Sequence, residues 1–298
     1  GWGGAVVMQT IVLYFRGDLA MTTALTGEMV RAGLDAADPQ VACWGYMSLA
    51  FPLLVCGPLD EAETTLDKGL ALARKIPSWQ NVVYLLALRG KCHVLQGELD
   101  EAGVLLDEAS QILKTENLNS PFDQAEALTA VATLGLARAL RLQGPARNAA
   151  IEAAPQACRK AVTTARRMPA WLPEALRLQG TSDWLRGDAT AAQAHWRESL
   201  AVAKQSSFPI EHARTLAEMG RRTGDVDALG QAIAVFRHSG AKVLLAMTLH
   251  ERARLLAGSS PDATEVGRSH DEALLALDEV RARFEVGVAR EGHARRLQ

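Results

Sequence analysis

A short glycine turn returns along the whole chain at near-regular intervals, and no other feature narrows the possible folds so far. Its copies are Gly17-Asp18-Leu19, Gly57-Pro58-Leu59, Gly97-Glu98-Leu99, Gly144-Pro145-Ala146, Gly187-Asp188-Ala189 and Gly224-Asp225-Val226, with a looser seventh at Gly258. Successive glycines stand 40, 40, 47, 43, 37 and 34 residues apart. A period of this size marks a repeat architecture, whose units are too small to bury an apolar face alone. Glycine adopts the left-handed conformation that ends one helix, and Asp, Glu or Pro suits the first turn of the next.

The segments between the turns read as helices. In Leu99 to Ala109, the residues Leu99, Ala102, Leu106 and Ala109 form one stripe, with carboxylates on the other side. A second set of punctuation, Pro39, Pro77, Pro121, Pro169 and Pro209, falls between hairpins and marks where one hands over to the next. The expected result is about fourteen helices in seven antiparallel pairs, with no strand. Composition agrees: Ala and Leu dominate, both cheap to order in a helix, and aromatic residues reach only 5%. With 48% hydrophobic residues the chain can build a core.

Several function classes find no support. The net charge of −2 excludes a generally basic nucleic-acid binder, so nucleic acid is not expected as a partner of this region. No unbroken apolar run of about 18 residues is present, so no membrane span is expected. The opening Gly1 to Met8 lacks a basic region and does not read as a signal peptide; it also lacks an initial Met, as a piece of a longer or processed protein would. Cys43, Cys56, Cys92 and Cys158 form no CxxC pair and read as reduced, mostly buried thiols of a cytoplasmic protein. There is no GxxxxGK[ST] phosphate loop, no GxSxG elbow and no HExxH: His250-Glu251-Arg252-Ala253-Arg254 ends in arginine. Cys92-His93 lacks a second ligand pair, so neither metal nor cofactor is expected. The carboxylates Asp60, Glu61 and Glu63, and Glu98, Asp100 and Glu101, stand at helix starts, where the helix dipole accounts for them. An enzyme is therefore not expected.

Within the repeats a family resemblance emerges. Gly90, Ala102, Leu106 and Ala109 of the third pair match the small and bulky signature positions of tetratricopeptide repeats. So do Gly180, Ala192 and Trp196 of the fifth, where Ser199 replaces the usual Ala, and Ala50, Ala62 and Leu66 of the second, with Gly69 at the last place. The longer units, and the stretch from Ala228 to Lys242, resemble the degenerate repeats of bacterial signal-transduction ATPases, such as maltose-regulator-like activators and ATPase-coupled adenylate/guanylate cyclases. The resemblance implies an all-α, right-handed superhelical solenoid over residues 1–285, followed by a polar tail over 286–298. The stretch Arg281 to Gln298 reads as a capping helix fraying into that tail.

The same resemblance implies which residues face the concave groove. Carried over, these are Trp44, Met47 and Phe51 in the second pair, Tyr84 and Lys91 in the third, and Arg138 and Arg141 in the fourth. The fifth supplies Arg177 and Trp184, the sixth Arg214 and Arg221. The row of arginines offers forked donors suited to carboxylates. The aromatic end offers apolar anchorage, so the expected partner is an acidic protein or peptide, or a neighbouring domain of the same parent protein. From Arg138 to Arg167 seven basic residues face only Glu152, whereas from Asp60 to Glu126 twelve acidic residues face six basic ones; such polarity also suits self-association into a homo-oligomer. Two readings stand together: a non-catalytic regulatory scaffold within a larger bacterial signalling or transcription-regulatory protein, and a small-molecule receptor with a pocket inside the superhelix, lined by Trp44, Tyr84 and Trp184.

Overall fold

The computed structural model describes residues 2–259 and 263–280. Fourteen helices form seven consecutive hairpins among them, and no strand is present there. The pairs are α1 (Trp2–Phe15) with α2 (Leu19–Asp35), α3 (Pro39–Cys56) with α4 (Leu59–Ala73), α5 (Trp79–Gln96) with α6 (Leu99–Thr115), and α7 (Pro121–Arg141) with α8 (Gly144–Ala165). Then follow α9 (Leu172–Leu185) with α10 (Ala189–Gln205), α11 (Pro209–Thr223) with α12 (Val226–Ser239), and α13 (Lys242–Ser259) with α14 (Ala263–Glu279). The tail expected over 286–298, and the capping helix expected from Arg281, lie outside the described residues.

The recurrent turn works as two devices in series. Gly17, Gly97, Gly187 and Gly224 take positive φ, between 77° and 87°. At three of the turns the next residue caps the second helix: Asp18, Asp188 and Asp225 accept the backbone N–H of Met21, Ala191 and Ala228 at 3.2, 2.9 and 3.0 Å. Three glycines depart from this scheme, and one of them, Gly144, opens α8 itself at φ 56°. Gly57 is extended, with φ −88° and ψ 171°, because Pro58 disfavours the helical region for its predecessor. Gly258 lies inside α13 and ends no helix.

Proline is less strictly punctuation than expected. Pro39, Pro121 and Pro209 open α3, α7 and α11, but Pro52 and Pro155 lie inside α3 and α8. The three handovers that lead into Pro39, Pro121 and Pro209 also place the non-glycine residues Ala37, Asn117 and Ser207 at φ of 51°, 52° and 58°.

In the third and fifth hairpins a small residue on one helix receives a large one from the other. A Cβ on Gly90 would sit 2.8 Å from the Leu106 side chain, and one on Gly180 2.5 Å from the Trp196 indole. Ala102, Leu106 and Ala109, like Ala50, Ala62 and Leu66, are fully or almost fully buried. Ser199, standing where alanine is usual, donates to the Pro173 carbonyl of α9 at 2.8 Å and shares a hydrogen bond of 2.8 Å with the Thr215 hydroxyl of α11. It thereby ties one hairpin to the next. Cys43, Cys92 and Cys158 are buried and unpaired, Cys56 half-buried and unpaired, and burial pushes all four thiols up to about 12.

Despite the lack of an unbroken apolar run, α3 is long and apolar enough to cross a membrane by length and composition, with 18 residues of mean hydropathy 1.3. Packing accounts for that composition. The helix is flanked by α1, α2, α4, α5 and, across the superhelix, α13, which leaves it little polar surroundings.

The seven pairs wind until their ends meet. Leu19 and Val55 share an apolar cluster with Ile210, Ala213, Phe236 and Ala241. Leu59 shares another with Val243, Ala246, Leu277 and Val280, and its N–H donates to the Val280 carbonyl at 3.2 Å. Phe15 rests on Phe208 and Trp171 with ring centroids 5.0 and 5.7 Å apart.

Candidate functional site

The first helices of the pairs turn their inner faces toward a shared interior, and that interior is charged. Lys91 of α5 lies 2.6 Å from Glu126 of α7 and 3.1 Å from Glu174 of α9, and donates to the Thr129 hydroxyl at 3.2 Å. The second oxygen of Glu126 accepts the Trp171 indole N–H at 2.7 Å. Glu174 also faces Arg214 at 3.6 Å and Arg177 at 3.8 Å. Glu211 of α11 pairs with Arg214 at 2.6 Å and approaches Arg177 at 3.8 Å. Further along, Glu218 binds Arg222 at 2.9 Å, accepts the Thr181 hydroxyl at 2.7 Å and pairs with Arg221.

Mutual compensation sets the charge states. Burial opposes the Glu174 anion, yet Lys91, Arg214 and Arg177 outweigh it and hold the carboxyl at about 2. Burial likewise opposes the Lys91 cation, and Glu126 and Glu174 prevail to raise its pKa. Arg177 moves the other way, down to about 10, because burial and the adjacent Arg214 outweigh Glu211 and Glu174. Tyr14, reaching in from α1, is pushed up chiefly by burial and stays neutral.

Beside this network opens a cavity of about 560 Å³. Helices α5, α7, α9, α11, α12 and α13 all contribute to its wall. Apolar groups such as Leu95, Leu136, Leu140, Leu178, Phe236 and Met247 make one part. The charged part carries six arginines, Arg141, Arg177, Arg214, Arg221, Arg222 and Arg254, against the two carboxylates Glu218 and Glu251. Its size falls within the range of about 300–1,000 Å³ usual for ligand clefts, and its mixed lining is typical of them. Among the described residues, no group of three or more His, Cys, Asp or Glu is placed to hold a metal ion.

Of the eleven residues expected on the groove, the cavity gathers Arg141, Arg177, Arg214 and Arg221, while Met47 is buried in the apolar core. Lys91 lies in the network with Glu126 and Glu174, off the cavity wall. Arg138 is drawn aside, donating to the Leu99 carbonyl at 3.2 Å and closing on Gly103. The aromatic residues serve helix packing. Tyr84 is buried against Phe122, whose carbonyl accepts its hydroxyl at 2.8 Å. Trp184 rests on Trp196 with centroids 5.8 Å apart, and Trp44 lies against Gly3. Phe51 joins Tyr14 and Phe15 around a void of only about 10 Å³. A receptor pocket lined by Trp44, Tyr84 and Trp184 is therefore not what the fold encloses.

The glutamates escaped the reading of the sequence, although a signal for them exists. Glu174/Arg177, Glu211/Arg214, Glu218/Arg221 and Glu251/Arg254 are each spaced i, i+3, a separation that puts both side chains on one face of a helix. Four copies in three consecutive first helices mark one continuous charged face.

Comparison with known proteins bears on the fold. No family model matches the chain, and no curated protein matches it. Among solved structures, the chain is similar to a Rap protein complexed with competence and sporulation factor, with a TM-score of 0.69 and 13% identity over 97% of this chain and 80% of that one. It is also similar to NprR in complex with its cognate peptide NprX, with a TM-score of 0.53 and 15% identity over 84% of this chain and 72% of that one. Together with the seven interlocked hairpins, the likeness identifies the fold as an all-α solenoid of the tetratricopeptide-like kind.

Proposed function

We propose that this chain is a regulatory binding scaffold that takes a short peptide into the cavity enclosed by its superhelix. The carrying observation is the cavity itself, walled by the first helices of five pairs and offering both apolar and cationic lining. Two structures of similar fold support the reading, one complexed with competence and sporulation factor and the other with its cognate peptide NprX. The wall spans hairpins from the third to the seventh pair, so occupancy would bias how those hairpins sit and alter the outer surface offered to a partner protein or an adjoining domain. Such a role fits the resemblance to repeat regions of bacterial signalling and transcription-regulatory proteins.

The test is retention of small peptides. Protein incubated with the peptide fraction of the source cells is desalted, and bound peptides are released and sequenced by mass spectrometry. The parent retains a defined peptide, and Ala217→Trp, which fills the cavity from α11, does not. Equal retention by both would move the site elsewhere, and no retention by either would remove the peptide reading.

A further inference from the structure

A peptide in the cavity leaves the outer surface of the superhelix unassigned, and there the charges are sorted by sign. The exposed side of α6 carries Asp100, Glu101, Val104, Asp107 and Glu108. They stand at i, i+1, i+4, i+7 and i+8, a spacing that gathers side chains along one face of a helix. Four carboxylates thus flank Val104, which is 70% exposed. On α8, the second helix of the next hairpin, and at its end, the same spacing falls on Arg159, Lys160, Thr163, Arg166 and Arg167, all exposed. Any outward helix face has this spacing, but the sorting of charge is particular to these two. At the corresponding positions of α4 the signs are mixed, with Asp67 beside Lys68.

Local electrostatics accounts for only half of the sorting. Asp100 and Glu101 lie in the first turn of α6, and Arg166 and Arg167 at the C-terminal end of α8, where the helix dipole favours each sign. Asp107 and Glu108 in mid-helix, and Arg159 and Lys160 more than a turn before the end, gain nothing from it. Ion pairs within the chain do not explain the rest. Glu108 meets Arg74 at 2.8 Å and Arg166 meets Glu198 at 3.0 Å, both at the surface. Among the described residues Asp100, Glu101, Asp107, Arg159, Lys160 and Arg167 have no ion pair. Each ridge is therefore self-repelling as it stands, and the ridge that would relieve it has the opposite sign and the same spacing.

We infer that α6 and α8 form an interface with a second copy of this chain, arranged about a two-fold axis so that α6 of each copy lies along α8 of the other. One molecule carries both halves of the contact, which is what an isologous interface requires. A partner of a single charge sign would be attracted by one helix and repelled by the other. The spacing is symmetric about Val104 and Thr163, so antiparallel packing keeps the register. Asp100 and Glu101 then face Arg166 and Arg167, Asp107 and Glu108 face Arg159 and Lys160, and Val104 meets the Thr163 methyl. The two-fold forms every one of these contacts twice. This surface is separate from the cavity, and its role does not depend on peptide binding.

The experiment is sedimentation velocity of the full chain beside two charge-reversed variants, Glu101→Lys/Asp107→Lys and Arg159→Glu/Arg167→Glu, all at exposed positions. The parent should dimerise at about 20 mM salt, with a dissociation constant that rises at least about tenfold by about 200 mM, since salt screens exposed charges. Either variant alone should sediment as a monomer. Mixed in equal amounts they should dimerise again, because one now carries two basic helices and the other two acidic ones. A parent still monomeric at about 100 µM in low salt, where even a weak complex would be populated, would overturn the inference. Undiminished self-association of either variant, or a dimer indifferent to salt, would do the same. So would a mixture that stays monomeric although both variants keep the parent's helicity. Open-ended assemblies in place of a dimer would mean a head-to-tail contact and would overturn the two-fold arrangement.

Discussion

Glu174 holds the charged interior together, since its two oxygens face Lys91, Arg177 and Arg214 from three different helices. Its folded pKa of about 2 lies below the ordinary 4.5, so the ionised form is favoured in the folded state. The stability it contributes is present in full above about pH 4.5 and is lost as pH falls from there through about 2. Glu174→Gln should therefore cost about 3–5 kcal/mol at pH 7, because three buried cations lose a counter-charge. Urea unfolding of the parent and the variant, run from pH 7 down to pH 2.5, checks both parts. The gap between them should narrow steadily below pH 4.5, and a gap that stays constant would mean the carboxylate is not acting through its charge.

At the scale of the helix pair, packing rests on which glycines are filled by a neighbour. A methyl at Gly180 would collide with the Trp196 indole, whereas one at Gly27 in α2 meets nothing within 4 Å. Gly180→Ala should destabilise by about 1–3 kcal/mol through overpacking. Gly27→Ala should stabilise by about 0.5–1 kcal/mol, because a helix-interior glycine gives up more backbone freedom than alanine. Calorimetric melting of the two variants settles this, and the same sign for both would contradict the interlock described. Elements of this kind were legible in the sequence because they depend on local spacing: the Gly-Asp turns and the buried Ala102, Leu106 and Ala109 all follow from positions along one hairpin. What was not legible depends on where a side chain swings. Trp44, Tyr84 and Trp184 stand on first helices, as the groove register requires, yet their rings pack against neighbouring side chains and helices, and register does not specify that direction. The positive φ of Ala37 and Ser207 had no sequence signature either, since neither residue favours that region by itself.

Across the whole molecule, closure of the superhelix matters most, and it was beyond reach of any local pattern because its contacts join residues some two hundred positions apart. A repeat array with contacts only between neighbours behaves as a chain of coupled units, and its ends fray independently. Here Leu59, fully buried at the start of α4, inserts among Val243, Ala246, Leu277 and Val280 of the last pair and its end. The first pairs thus support the last ones directly, and the cavity is enclosed by a ring whose seam runs through this cluster. Leu59→Ala should cost about 2–5 kcal/mol, the usual range for truncating a buried leucine. Its effect should be uneven. Hydrogen exchange followed by mass spectrometry should find α13 and α14 losing protection first, ahead of α5 to α10, because the variant removes the buried side chain through which α4 supports them. An unfolding transition that was single in the parent should broaden or divide. Protection lost evenly along the chain would instead mean that the seam contributes no more than any other contact, and that the ring is held by its repeats alone.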